Sequence, residues 1–232
     1  MKIQSRATIH AGVGFTMSPF DLDRGRLFEF QQRLMNIDGN FSQFIMDESK
    51  FVAIRSVPVP TVLEVRLTLL PAPNVGQLVI VATNRIPSTD SFTSTATFIV
   101  QAYEEVWSFT PRQVLSSDVT LRDLYDTEHP HAFKEIWEQR LQRTSDELRV
   151  FDQPVIGGGV RFVLAPKQED EPLVDLRIES QLDNPGKIFI ELQASWQKPT
   201  QGNPLNPAER FDYVQKFEKE RTVQWFSVEP KT

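Results

Sequence analysis

Leu63-Glu64-Val65-Arg66-Leu67 sets apolar side chains at odd positions and charged ones between them. A period of two is the mark of a β-strand with one buried face and one wet face. The pattern returns class for class as Val174-Asp175-Leu176-Arg177-Ile178, 111 positions later. Beside it, Gly76-Gln77-Leu78-Val79-Ile80 is answered by Gly186-Lys187-Ile188-Phe189-Ile190, 110 positions later. Two matches at nearly equal offsets predict an internal duplication.

Outward from these pairs, one order of elements is expected twice. In the first half, residues 6–17 read as a strand, softened by Gly12 and Gly14 and broken at Ser18-Pro19. Leu27, Phe30 and Leu34 make a helical stripe reaching about Met35. Residues 51–57, 62–70 and 77–83 read as strands, with a turn at Pro71–Gly76. Leu78–Ala82 is apolar on both faces, as in a strand covered on both sides. Phe92, Ala96, Ile99, Tyr103 and Val106 then predict a helix with one buried stripe. In the second half, 113–121 reads as a strand and Phe133, Ile136, Trp137 and Leu141 as a helix after Pro130. Strands follow at 159–165, 173–182 and 187–194. The last helix has a cap at Asn206, Pro207 at its first position and Glu209 placed to reach back to the cap amide. Phe211, Val214, Phe217 and Trp225 supply its apolar face, interrupted by Arg221.

The expected fold class is therefore α+β. Duplicated β-α-β-β-β-α units (residues 1–110 and 111–232) form an antiparallel curved sheet with helices packed on one face, as one compact pseudo-twofold unit. This order of elements resembles the duplicated saddle of TATA-binding-protein-like folds. The basic saddle surface is missing from the sequence, so DNA binding is not implied. The stretch from Gly157-Gly-Gly-Val-Arg-Phe-Val-Leu164 through Pro172-Leu-Val-Asp-Leu-Arg-Ile178 to the last helix resembles a sporadically distributed bacterial family of about this length. The resemblance covers the C-terminal third and implies a bacterial origin, with no agreed activity attached.

Composition narrows the chemistry. The formal net charge is −6, and no dense Lys/Arg cluster interrupts it, so no nucleic-acid partner is expected. There are no cysteines, which excludes disulfides and thiolate metal sites and fits a reducing compartment. No apolar run reaches the length of a membrane helix, and no signal peptide is visible. The expected setting is cytoplasmic, with no membrane and no cofactor.

Two motifs invite a chemical reading. Asp126, Glu128, His129 and His131 could ligate a metal, but Pro130 separates the histidines and a helix follows, so a polar helix start is expected and no metal. Gly157-Gly158-Gly159 leads into a strand rather than a helix, which suits a bulge better than a phosphate cradle. No nucleophile elbow, zincin motif or P-loop is present, and His10 lies alone on the first strand, so an enzyme is the least expected reading.

The leading expectation is a non-enzymatic interaction or adaptor protein that binds a protein partner or itself. Glu64, Arg66, Asp175, Arg177, Val79 and Phe189 would carry the contact on the helix-free face. The alternative is a small-ligand sensor with a cavity between sheet and helix, lined by Tyr103, Trp107, Phe211 and Trp225.

Overall fold

A computed structural model describes residues 1–37, 41–56, 58–108, 111–198, 200–201 and 205–227. The first half contains β1 (Lys2–Ser18), α1 (Arg24–Asn36), β2 (Gln43–Met46), β3 (Lys50–Arg55), β4 (Val62–Leu69), β5 (Gly76–Thr83) and α2 (Thr89–Val106). The second contains β6 (Gln113–Asp126), α3 (Ala132–Lys134), β7 (Gly159–Leu164), β8 (Leu173–Ser180), β9 (Lys187–Trp196), β10 (Thr200–Gln201), α4 (Pro207–Phe217) and α5 (Val223–Ser227). Val57, at the end of one expected strand, lies outside the described residues.

All strands join one antiparallel sheet in the order β2-β3-β4-β5-β1-β6-β9-β8-β7, with β10 added to β6. β1 and β6 pair along their whole length, from Lys2 opposite Asp126 to Ser18 opposite Gln113. Outward from β1 come β5, β4, β3 and β2; outward from β6 come β9, β8 and β7. The halves thus run in mirrored strand order and share one sheet. The helices cover one face. Ala11, Val13, Phe15 and Met17 of β1 and Val119 and Leu121 of β6 are buried beneath them. α2 packs against α1 on one side and α4 on the other.

The sequence matches are not kept in register. Arg66 stands opposite Val79, but Arg177 stands opposite Glu191, two residues beyond the matching Phe189. A two-residue slide keeps every side chain on its own face.

β5 is not covered on both sides, contrary to its apolar pattern. Leu78, Ile80 and Ala82 lie under the helices, while Val79 and Val81 are half-buried on the helix-free face. They stand beside Gly14 and Gly12 of β1 and Arg66 and Glu64 of β4, so side chains of the same face give the partial cover.

The last helix confirms its cap. The Asn206 side chain accepts from the Glu209 amide at 3.1 Å, and Pro207 is at the first position. Glu209 meets the Asn206 side chain at 3.3 Å. A π-helical turn, Glu218–Thr222, then adds a residue to the period. The buried stripe runs Phe211, Val214, Glu218, Thr222 and Phe226, leaving Trp225 half-buried and Arg221 exposed.

The glycine run is a close-approach site. A Cβ on Gly159, the first residue of β7, would sit 2.0 Å from the Ile178 carbonyl oxygen. Backbone cannot move aside as a side chain can. Gly159→Ala is expected to destabilise the fold by about 2 kcal/mol or more. Gly186→Ala, whose Cβ would make only ordinary contact with Asn184 at 3.5 Å, should stay within about 0.5 kcal/mol of the parent. Denaturant midpoints of the two variants check this.

Candidate functional site

Because period two sends alternate residues to one side, the helix-free face gathers the even positions of β4, β5-facing glycines of β1, and the odd positions of β8 and β9. Glu64, Arg66, Val79, Asp175, Arg177 and Phe189 all lie on it. They do not converge. β5, β1, β6 and β9 stand between β4 and β8, so the two charged pairs are about 24 Å apart across the sheet. Arg66 pairs with Glu64 within β4. Asp175 instead takes Arg161 of β7 at 2.9 Å, and that bond holds its carboxyl below the usual range. Arg177 reaches Glu179 at 2.9 Å and Glu191 at 3.3 Å, and Glu191 also meets Arg122.

The centre of this face was not singled out by sequence. Gly14 leaves room for Asp118 of β6: a Cβ there would lie 2.7 Å from Asp118 Oδ1. The half-buried Asp118 stands between Gly14 of β1 and Ser195 of β9. Burial pushes its pKa up, with no charge opposing. The signal was present in the paired glycines, since glycine inside a strand often marks a close approach.

On the helix side, the expected ligand-binding aromatics are spread through the core. Tyr103 stacks on Trp107 at 4.9 Å, and both meet Phe30 edge-on. Phe211 packs on Phe92 at 5.1 Å, and Trp225 on Phe226 at 4.9 Å and Phe162 at 6.0 Å. Tyr103, Trp107 and Phe211 are fully buried, and none of the four lines the hollows described here.

A hollow between sheet and long helix does exist, at the other end of α2. One part of it, about 290 Å³, is lined by Leu63, Ala82, Ile86 and Phe92, among others, and by Arg55. An adjoining hollow of about 710 Å³ shares Pro58, Thr61, Ile86 and Pro87 with it and adds Arg6, Thr8 and Arg85.

Behind Arg6 and Thr8 lies a buried acid cluster. A register shift between Thr8 and His10 turns Thr8 to the helix side of β1, opposite Asp123. Thr8 Oγ1 donates to Asp123 at 2.6 Å, and Arg6 reaches Asp123 at 3.1 Å and Glu218 at 2.7 Å. Tyr125 donates to Glu218 at 2.7 Å. Asp123 and Glu218 are 1% and 2% exposed, which leaves two carboxyls sharing one guanidinium away from water. Burial first, then the Asp123 charge, push the Glu218 pKa up to about 8, against the pull of Arg6 and Tyr125. One proton on the pair leaves the cluster neutral.

A second buried glutamate, Glu135, sits at the start of a π-helical turn that continues α3. Burial opposes its charge, but the Met1 amino group, Thr127 and the Glu128 amide outweigh that and lower its pKa. The acid and histidine run is engaged in the same frame. Asp126 pairs with Lys187 at 2.6 Å, Glu128 with the amino group at 3.3 Å, and His131 Nδ1 caps α3 by accepting from Phe133. Among the described residues, no group of three or more His, Asp or Glu gathers as a metal site.

Neither a protein-family model nor a curated protein matches the chain.

The acid cluster has a pH consequence. Between the unfolded Glu value of about 4.3 and about 8, the folded state keeps a proton on Glu218 that the unfolded chain releases. Stability therefore falls as pH rises through this window. Glu218→Gln should remove that component, so its stability advantage over the parent grows from pH 5 to pH 8. Urea unfolding of both proteins across the range measures the difference.

Proposed function

We propose that the protein is a non-enzymatic interaction or adaptor module whose helix-free sheet face receives a protein partner. The observation that carries the reading is the composition of that face. A sheet face meant only for water alternates to polar side chains, yet this one carries half-buried Val79, Val81 and Phe189. It also holds the Asp118 carboxyl in a partly desolvated position at its centre. Its arginines pair with neighbouring acids, so the face offers fixed hydrogen-bonding groups rather than a phosphate-attracting field.

A bacterial cytoplasmic setting accompanies the reading, supported by the absence of cysteine. No helix among the described residues is long and apolar enough to cross a membrane. The mirrored strand order supports an origin by duplication, with the two-residue register difference as later divergence.

A photo-crosslinking residue at Val79 or Phe189 should capture a second polypeptide in cells, and one at Phe98 on the outer side of α2 should not. Charge reversal at Arg66 and Arg177 together should reduce the yield about tenfold. Light scattering of the purified protein separates self-association from a different partner. A monomer that gives no crosslink from the sheet face would overturn the reading.

A further inference from the structure

The sheet is open, and its two edges are finished differently. β2 closes one end with four residues, whereas β7 ends the other with six, Gly159–Leu164. Natural edge strands are blunted by lysine, proline, a bulge or shortness, because unpaired amides and carbonyls recruit another strand. β7 has no lysine, no proline and no register shift. Its one charge, Arg161, is drawn back to Asp175 of β8 at 2.9 Å. Val163 is 59% exposed and Leu164 40%, so the edge is open. Among the described residues, no backbone bond reaches β7 from any element but β8.

One bond fixes which groups face outward. The Ser180 amide donates to the Gly158 carbonyl at 3.0 Å, one step before the first strand pair, Gly159 opposite Glu179. Hydrogen-bonded and non-bonded pairs alternate along an antiparallel ladder. Val160, Phe162 and Leu164 therefore turn their amides and carbonyls to β8, and Gly159, Arg161 and Val163 turn theirs to the open edge. Side chains divide by the same period. Val160, Phe162 and Leu164 stand beside the buried Ile178, Leu176 and Val174, on the helix side. Arg161 and Val163 stand beside Arg177 and Asp175, on the helix-free side. Phe162 is half-buried, edge-on to Trp225 at 6.0 Å.

We propose that the β7 edge pairs with β7 of a second copy of the chain, antiparallel about a two-fold axis at Phe162. In this register Arg161 stands opposite Val163 of the second copy, and Val163 opposite its Arg161. Their outward groups then form about four backbone hydrogen bonds across the edge. Phe162 meets Phe162 of the second copy and Val160 meets Leu164, which continues the apolar layer of the helix side from one sheet into the next. No like charges stand opposite each other. With the axis at Arg161 the two guanidinium groups would oppose, and with the axis at Val163 the pair would run past the strand's end, setting Val160 against Pro166. Val160–Leu164 is thus complementary to itself about its own centre, which selects a second copy over an unrelated strand. Six residues at about 3.3 Å each make a contact about 20 Å long. This lies at the small end of specific interfaces, and a Kd on the order of 10–100 μM is expected. The contact leaves the helix-free face open, so the two surfaces stand or fall separately.

Sedimentation velocity of the full chain from about 5 to about 300 μM measures the association, and dimer should accumulate across this range. Val163→Pro removes an outward amide and no bond to β8, so this variant should stay folded and associate about tenfold or more weakly. Val163→Lys serves if that variant does not unfold cooperatively. Its ammonium would lie beside Asp175 of its own chain and opposite Arg161 of the second copy, and the same loss is expected. Thiols read the register, because the chain has no cysteine of its own. Phe162→Cys sets two sulfurs in a non-hydrogen-bonded pair, within disulfide reach, and should crosslink on mild oxidation. Val163→Cys sets them two residues out of step and should not. Failure of the helix-free face is a separate result, a lost crosslink from Val79 with the edge dimer intact. A monomer at the highest concentration, association unchanged in both Val163→Pro and Val163→Lys, or crosslinking by Val163→Cys as fast as by Phe162→Cys would each overturn the proposal.

Discussion

The rest of the structure hangs on the antiparallel ladder between β1 and β6. It is where the two halves become one sheet, and each strand lends its other edge to its own half, β1 to β5 and β6 to β9. The side chains on its helix face are the centre of the core, and those on its other face are the centre of the helix-free surface. A slip of one residue would exchange the two sets, setting Asp118 and Thr120 in the core and Val119 and Leu121 in water. Both faces of the molecule therefore depend on one register.

That register is not uniform, and its irregularity creates the buried acid cluster. Past the shift between Thr8 and His10, β1 presents Thr8 to the helix side, where Asp123 of β6 awaits it. Tyr125 follows two residues on and meets Glu218, which the π-helical turn after α4 begins with. A cluster of this kind adds little net stability over an apolar core of the same shape, since desolvation of the charges offsets much of their attraction. It does discriminate. Without the shift, Thr8 leaves Asp123, and two carboxyls share the site with fewer donors. We read the cluster as a device that fixes the irregular register of the central ladder.

What could be read in the sequence follows from this. β4 and β8 alternate cleanly because one face of each is buried in the core and the other carries charged residues in partial contact with water. α2 was legible from a single stripe and α4 from its cap. β2 escaped because Phe44-Ile45-Met46 is apolar throughout, so the alternating burial of this short edge strand leaves no mark in the residue types. The last residues of β6 escaped because the buried Asp123 occupies an apolar position of its pattern. The burial of Glu218 and Thr222 was not legible because a π turn shifts the helical period by one residue, which no local propensity announces. The hollow beside α2 arises from what is missing, short side chains on two elements distant in sequence, and only their docking reveals it.

The duplicated pattern with which the sequence reading begins has a limit that bears on the helix-free face. In the first half, Arg66 and Glu64 face Val79 and Val81, so that side is part apolar. In the second, the two-residue slide brings Arg177 opposite Glu191, and Arg122, Arg161, Asp175 and Glu179 complete a lattice of charges. Similar scaffolds therefore present dissimilar chemistry. A partner with two-fold symmetry would meet two different surfaces and could satisfy only one. A single asymmetric segment can lay apolar groups along β5 and polar groups along β8 and β9, crossing Asp118 at the junction. On the proposed reading, the asymmetry of the register thus favours one asymmetric partner per molecule over a pair of equivalent ones.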